Sequence, residues 1–143
     1  MKRVESLLIT EETVFNAVKL TAMFKENDSL AVLMYGAPDP DAISSAMALR
    51  ELARQKSGLT KCVFVATQPF VRHQNLEFAR SMGIDIQLLD KTDLAEYRLI
   101  AVVDSQPSFF GNALGDIRPQ IVLDHHPRKP GWHAELEDVR KGY

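Results

Sequence analysis

At 143 residues the chain fits one compact domain and leaves no room for two of ordinary size. Hydrophobic residues make up 45% and charged residues 25%, the balance of a soluble globular protein, and a net charge of −2 excludes any general attraction to nucleic acid or an anionic membrane. The single cysteine, Cys62, excludes an intramolecular disulfide framework and a cysteine-based zinc cluster, and within Lys61-Cys-Val-Phe-Val65 it reads as a buried strand thiol.

The N-terminal Met1-Lys-Arg-Val-Glu-Ser6 is basic at its start, but Glu11, Glu12 and Asn16 interrupt the apolar stretch that a secretory leader requires. No segment approaches the ~20 apolar residues of a bilayer span, so the chain reads as cytoplasmic, with no membrane contact. Phe15, Val18 and Ala22 predict a helix over Glu12–Glu26. The apolar run Leu30–Tyr35 follows as a strand. Ala42, Ala46, Leu49 and Ala53 then mark a helical stripe over Asp41–Arg54. A second strand is expected at Cys62–Ala66. A third helix carries Leu76 and Ala79, begins near an exposed His73, and ends at Gly83, which supplies the left-handed residue a helix terminus favours. Ile84–Leu89 alternates in polarity and suits a position near a sheet edge. Arg98–Val103 and Gln120–Leu123 are the last two apolar runs, and Pro127–Gly131 reads as a loop. Near-continuous apolar strands alternating with helices predict an α/β fold. The expected form is a three-layer αβα domain spanning 1–143, with a mostly parallel, Rossmann-like sheet of about five strands.

Ligands of open parallel sheets bind at the carboxyl ends of the strands. Here the first strand runs into Gly36-Ala-Pro-Asp39-Pro-Asp41, the fourth ends at Asp104, and the fifth ends at Asp124-His125-His126. Three remote segments thus deliver acid or imidazole to one edge. Carboxylates gathered in a water-poor crevice repel one another, and a divalent cation relieves that. Mixed carboxylate and imidazole donors favour manganese, iron, zinc or cobalt over calcium. Asp39 and Asp41 are placed to face different ions and Asp104 to bridge them. Two ions roughly 3.5–4 Å apart activate a water and stabilise a leaving oxygen. Each feature has a plainer reading: Asp39-Pro-Asp41 as a turn and helix N-cap, and Asp104 as a loop cap. Their coincidence at strand ends is what points to a shared site.

Pro38-Asp39-Pro-Asp41-Ala42, the strand-terminal Asp104 and Asp124-His125-His126, in that order, resemble the DHH phosphoesterases over about residues 28–127. The resemblance implies the N-terminal part of such a domain, with the C-terminal substrate-binding domain absent from this chain. It implies metal ligation by Asp39, Asp41, Asp104 and His125, with catalytic roles for Asp104, His125 and His126. His126 would face the substrate phosphate, Arg128 would assist at the mouth of the site, and Asp124 would orient an imidazole. The implied cofactor is Mn²⁺, with Mg²⁺ or Co²⁺ as substitutes. The implied partner is a phosphorylated small molecule or short nucleic acid, and a homo-oligomer is compatible with it. Asp104-Ser-Gln-Pro107 and Asn112 also resemble exopolyphosphatase-like members.

The sequence departs from the family at Tyr35, where members carry a histidine, which implies a weakened first metal site. Asp138 is not at the spacing of the family's last metal aspartate and receives no metal role. Phe109 and Phe110 are open to stacking on a base or to covering the sheet edge, and Trp132 and His133 to closing over substrate or packing. The other readings are a non-catalytic nucleotide-binding DHH domain and a flavodoxin-like domain with one Mg²⁺. The histidine pair disfavours the last.

Overall fold

The structure, a computed structural model, describes residues 9–56 and 58–140; the basic N-terminal start considered above lies outside the described residues. The elements in chain order are α1 (Glu11–Lys25), β1 (Ser29–Met34), α2 (Pro40–Lys56), β2 (Lys61–Ala66), α3 (His73–Ser81), β3 (Ile86–Leu88), β4 (Leu99–Val103), β5 (Ile121–Asp124) and β6 (Leu136–Val139). Short 3-10 turns at Leu89–Lys91 and Leu94–Glu96 precede β4, and a longer 3-10 segment, Pro107–Leu114, follows it.

The local chemistry explains these boundaries. α1 opens with a capping box in which the Thr10 hydroxyl accepts from the Thr13 N–H, and its first turn is acidic and its last turn basic. α2 starts with Pro40, whose missing N–H costs nothing at that position. α3 ends as the sequence predicts, with Gly83 in the left-handed region at φ 66°.

All six strands are parallel, in the order β3-β2-β1-β4-β5-β6. β1 pairs with β2 and β4, so its residues are covered on every side, and all six are buried. Alternate residues serve two cores. Leu30, Val32, Met34 and Val103 face α1, α2 and α3 through Phe24, Ile43, Leu49 and Ala79. Ala31, Leu33, Val102 and Val122 face the other way, under Leu94, Phe110, Leu114 and Ala134. The outer layers are therefore unequal: α-helices on one face, 3-10 turns and loop on the other.

The chain runs outward from β1 to β3 through α2 and α3, then returns to lay β4, β5 and β6 on the far side of β1. The order reverses between β1 and β4. That is the switch point where an open α/β sheet leaves a crevice beyond the strand ends.

Five strands follow the sequence expectation, with Ile86–Leu88 on the edge. The sixth, Leu136–Val139, was not anticipated, because Glu137 and Asp138 interrupt any apolar signal. Both acids have uses: Glu137 accepts from the Ala134 N–H and from Arg128, and Asp138 from Arg140 and Asn16. Cys62 is half-buried in β2, and burial pushes its thiol up to about 11 despite Arg50 and Arg54, so it is an inert packing residue. No helix among the described residues is long and apolar enough to cross a membrane.

Candidate metal centre

Asp104, Asp124, His125 and His126 meet at the carboxyl ends of β4 and β5, and one ligand atom from each lies within 4.8 Å of all the others. Their arrangement is two acid–imidazole pairs. His125 Nε2 is 2.8 Å from Asp104 Oδ1, and His126 Nδ1 is 2.7 Å from Asp124 Oδ1. The two rings stand 4.5 Å apart at 47°. Both imidazoles are just under half exposed (44%), whereas the Asp124 side chain is fully enclosed.

Asp104 is held in an unusual backbone state. It is the non-glycine residue with positive φ, 53°, among the described residues. Aspartate tolerates that region better than most residues, yet strain there persists only where surrounding structure imposes it. The Asp104 N–H donates to the Leu123 carbonyl at 2.9 Å, which ties the end of β4 to the end of β5. The twist aims the carboxylate across to His125 rather than along β4. Burial raises the Asp104 carboxyl above the usual carboxylate range, and the charge of Asp39 adds to this; the hydrogen bond from His125 opposes it without cancelling it.

Asp124 is fixed from its other side. Gln106, with no exposed surface, donates from Nε2 to Asp124 Oδ2 at 2.8 Å and to the Pro127 carbonyl at 3.0 Å. Its Oε1 accepts from the Lys129 N–H at 2.8 Å and from the Trp132 indole N–H at 3.3 Å. One amide thereby locks the acid, the backbone after His126 and the loop beyond. A carboxylate only accepts, so the pairing with Asp124 places a proton on His126 Nδ1 and turns Nε2 away from Asp124. Proteins orient imidazoles towards metals by the same kind of carboxylate contact.

The turn after β1 contributes differently. Gly36, at φ 78°, reverses the chain, and its N–H donates to the Thr67 hydroxyl. Asp39 caps α2: its Oδ1 accepts from the Ala42 N–H at 2.9 Å. Asp39 thus serves as the helix cap, and its charge also reaches Asp104. Asp41 is exposed in the first turn of α2, outside the four-residue cluster, and one turn before Ser45. Ser45 lines a cleft with Asp104, Asp124, His125, Asp138 and Arg140. Sequence spacing gave Asp138 no part in the site; β6 brings it to this wall.

Tyr35 sits edge-on to Phe109 and Phe110, with ring centroids 5.8 and 5.7 Å away, and Phe109 in turn lies edge-on to His126 at 5.8 Å. Phe110 is buried beneath, in the core on the face of the sheet away from the α-helices, and Phe109 packs against that core. Arg128 lies over the Trp132 ring at 4.2 Å and bonds to Glu137 and the Trp132 carbonyl, which ties it to its own loop.

An uncharacterized protein of Methanocaldococcus jannaschii is 32% identical over 113 residues, which are 78% of this chain and 22% of that protein. The chain thus spans about a fifth of the length of that curated relative. No family model and no solved structure matches the chain.

The donor set fits a metal ion. Asp104, Asp124, His125 and His126 each offer a ligand atom within one ion's reach. The His125–Asp104 hydrogen bond engages two of the ligand atoms, so an ion that takes both must displace the proton between them.

Proposed function

We propose that this chain is the metal-binding part of a DHH-type phosphoesterase. It would hydrolyse a phosphodiester or phosphoanhydride in a nucleotide, oligonucleotide or polyphosphate. The convergence of Asp104, Asp124, His125 and His126 at the switch point of a parallel sheet carries this reading. Asp104 and His125 are the ligands, and Asp39 and Asp41 supply further carboxylates from the start of α2. Mn²⁺ is the proposed ion, with Mg²⁺ or Co²⁺ as substitutes. When bound, it supplies Lewis-acid charge against the phosphoryl oxygens. Asp124 holds His126 by Nδ1, so that Nε2, when it carries a proton, donates to a phosphoryl oxygen. Arg128 is the weaker candidate for phosphate contact, since Glu137 and the Trp132 carbonyl already engage it.

One observation favours a second reading, a non-catalytic nucleotide-binding domain with a degenerate metal site. Tyr35 stands where the family carries a ligand histidine, and its ring packs against Phe109 and Phe110.

Metal-free protein titrated with Mn²⁺ and then assayed on bis(p-nitrophenyl) phosphate, pApA and short polyphosphate separates the two. The phosphoesterase reading expects bound Mn²⁺, proton release on binding, and slow turnover that His126→Ala abolishes while metal is retained. Nucleotide binding without turnover supports the second reading. Neither metal nor nucleotide binding ends both.

A further inference from the structure

α1 carries two apolar stripes, and the domain uses one of them. Leu20, Met23 and Phe24 are buried in the core. On the opposite side Val14, Phe15 and Val18 are 52%, 66% and 65% exposed, and a shallow groove runs along this side past Thr21 and Ala22 to Lys25. A contiguous exposed stripe of this kind marks a contact surface.

The stripe is self-complementary. Glu11, Val14, Val18, Thr21 and Lys25 follow one another at three- and four-residue steps, which places them on one side of the helix. Val18 lies midway between Glu11 and Lys25, between Val14 and Ala22, and between Phe15 and Thr21. A second helix laid antiparallel, with the two-fold axis at Val18, therefore sets each Glu11 beside the other copy's Lys25. The same placement seats each Phe15 over the smaller Thr21 and Ala22. A parallel pair would instead oppose Glu11 to Glu11 and Lys25 to Lys25. Anionic membrane is a poor occupant, because Glu11, Glu12 and Glu26 flank the stripe where an interfacial helix carries basic residues.

We propose that two copies of this chain associate through α1 as an antiparallel, two-fold symmetric helix pair centred on Val18. A contact made by one fifteen-residue helix is smaller than the ~1,600 Å² of a standard stable interface. The dimer is accordingly dissociable and visible as a concentration-dependent mass. The proposal is independent of the metal centre.

Sedimentation equilibrium over a wide concentration range, at low salt, tests it. Wild-type protein is expected to shift from monomer to dimer. Val18→Glu places like charges on the axis and is expected to weaken association about 100-fold. Glu11→Lys and Lys25→Glu are each expected to weaken it, and the double exchange to restore it, a rescue that a mere folding defect would not show. In a Cys62→Ser background, Val18→Cys is expected to form an intermolecular disulfide and Val14→Cys is not. A monomer at every concentration overturns the proposal. So does a dimer indifferent to Val18→Glu and to the charge exchange, or one that cross-links at Val14 in place of Val18.

Discussion

Gln106 uses both ends of its amide inside the protein. It donates to Asp124 and the Pro127 carbonyl while accepting from the Lys129 N–H and the Trp132 indole. Gln106→Leu keeps the approximate volume but strands those partners, and each buried unsatisfied group costs roughly 1–3 kcal/mol. The expected loss is roughly 2–4 kcal/mol in denaturant unfolding, with Mn²⁺ affinity down about 10- to 100-fold because Asp124 and His126 lose their orientation. Unchanged metal affinity in a folded variant would reduce Gln106 to a packing residue. The acids and imidazoles of the cluster were legible in the sequence because each ends an apolar strand, and the parallel-sheet rule then places them together. Gln106 was not. A glutamine's partners lie on a distant segment, and nothing in Asp104-Ser-Gln-Pro107 announces them.

Among the elements, α2 was the plainest to read. Ala42, Ala46, Leu49 and Ala53 marked its helical stripe, and all four are buried. For α1 the same periodicity found the helix through residues that the core does not use. Phe15, Val18 and Ala22 form the outward stripe, while Leu20, Met23 and Phe24 pack inward. Periodicity reports that a face is apolar and says nothing about what covers it. β6 was missed for the opposite reason, since an edge strand can be held by backbone pairing and polar side chains with little apolar content. The junction of β1 and α2 permits a test of whether Asp39 is only a cap. Serine also caps, so Asp39→Ser is expected to stay within about 0.5 kcal/mol of wild type, whereas Asp39→Ala loses about 1 kcal/mol. If Asp39 is also a ligand, both variants bind Mn²⁺ more weakly. If it only caps, Asp39→Ser binds metal as wild type does, as calorimetric titration of the pair would show.

At the scale of the whole molecule, the sheet order carries the functional argument. Placing β4 and β5 on one side of β1, with β2 and β3 on the other, opens the crevice next to the segments that end in Asp104 and in Asp124-His125-His126. Burial and the charge of Asp39 raise the Asp104 carboxyl, so its charged form is held there at a cost. An ion that binds the folded state and not the unfolded chain converts that cost into stability. At 100 times its dissociation constant it adds about 2.7 kcal/mol. For a domain of this length that is a rise in melting temperature on the order of 10 °C. Asp104→Asn separates the chemistry from the backbone, because asparagine accepts the left-handed conformation that Asp104 adopts. The variant is expected to melt no lower than wild type without metal, since it removes a desolvated charge, and to show no rise with Mn²⁺. Equal rises in the two proteins would place the ion elsewhere. No rise in wild type would mean that the cluster is held by its own hydrogen bonds and binds no ion.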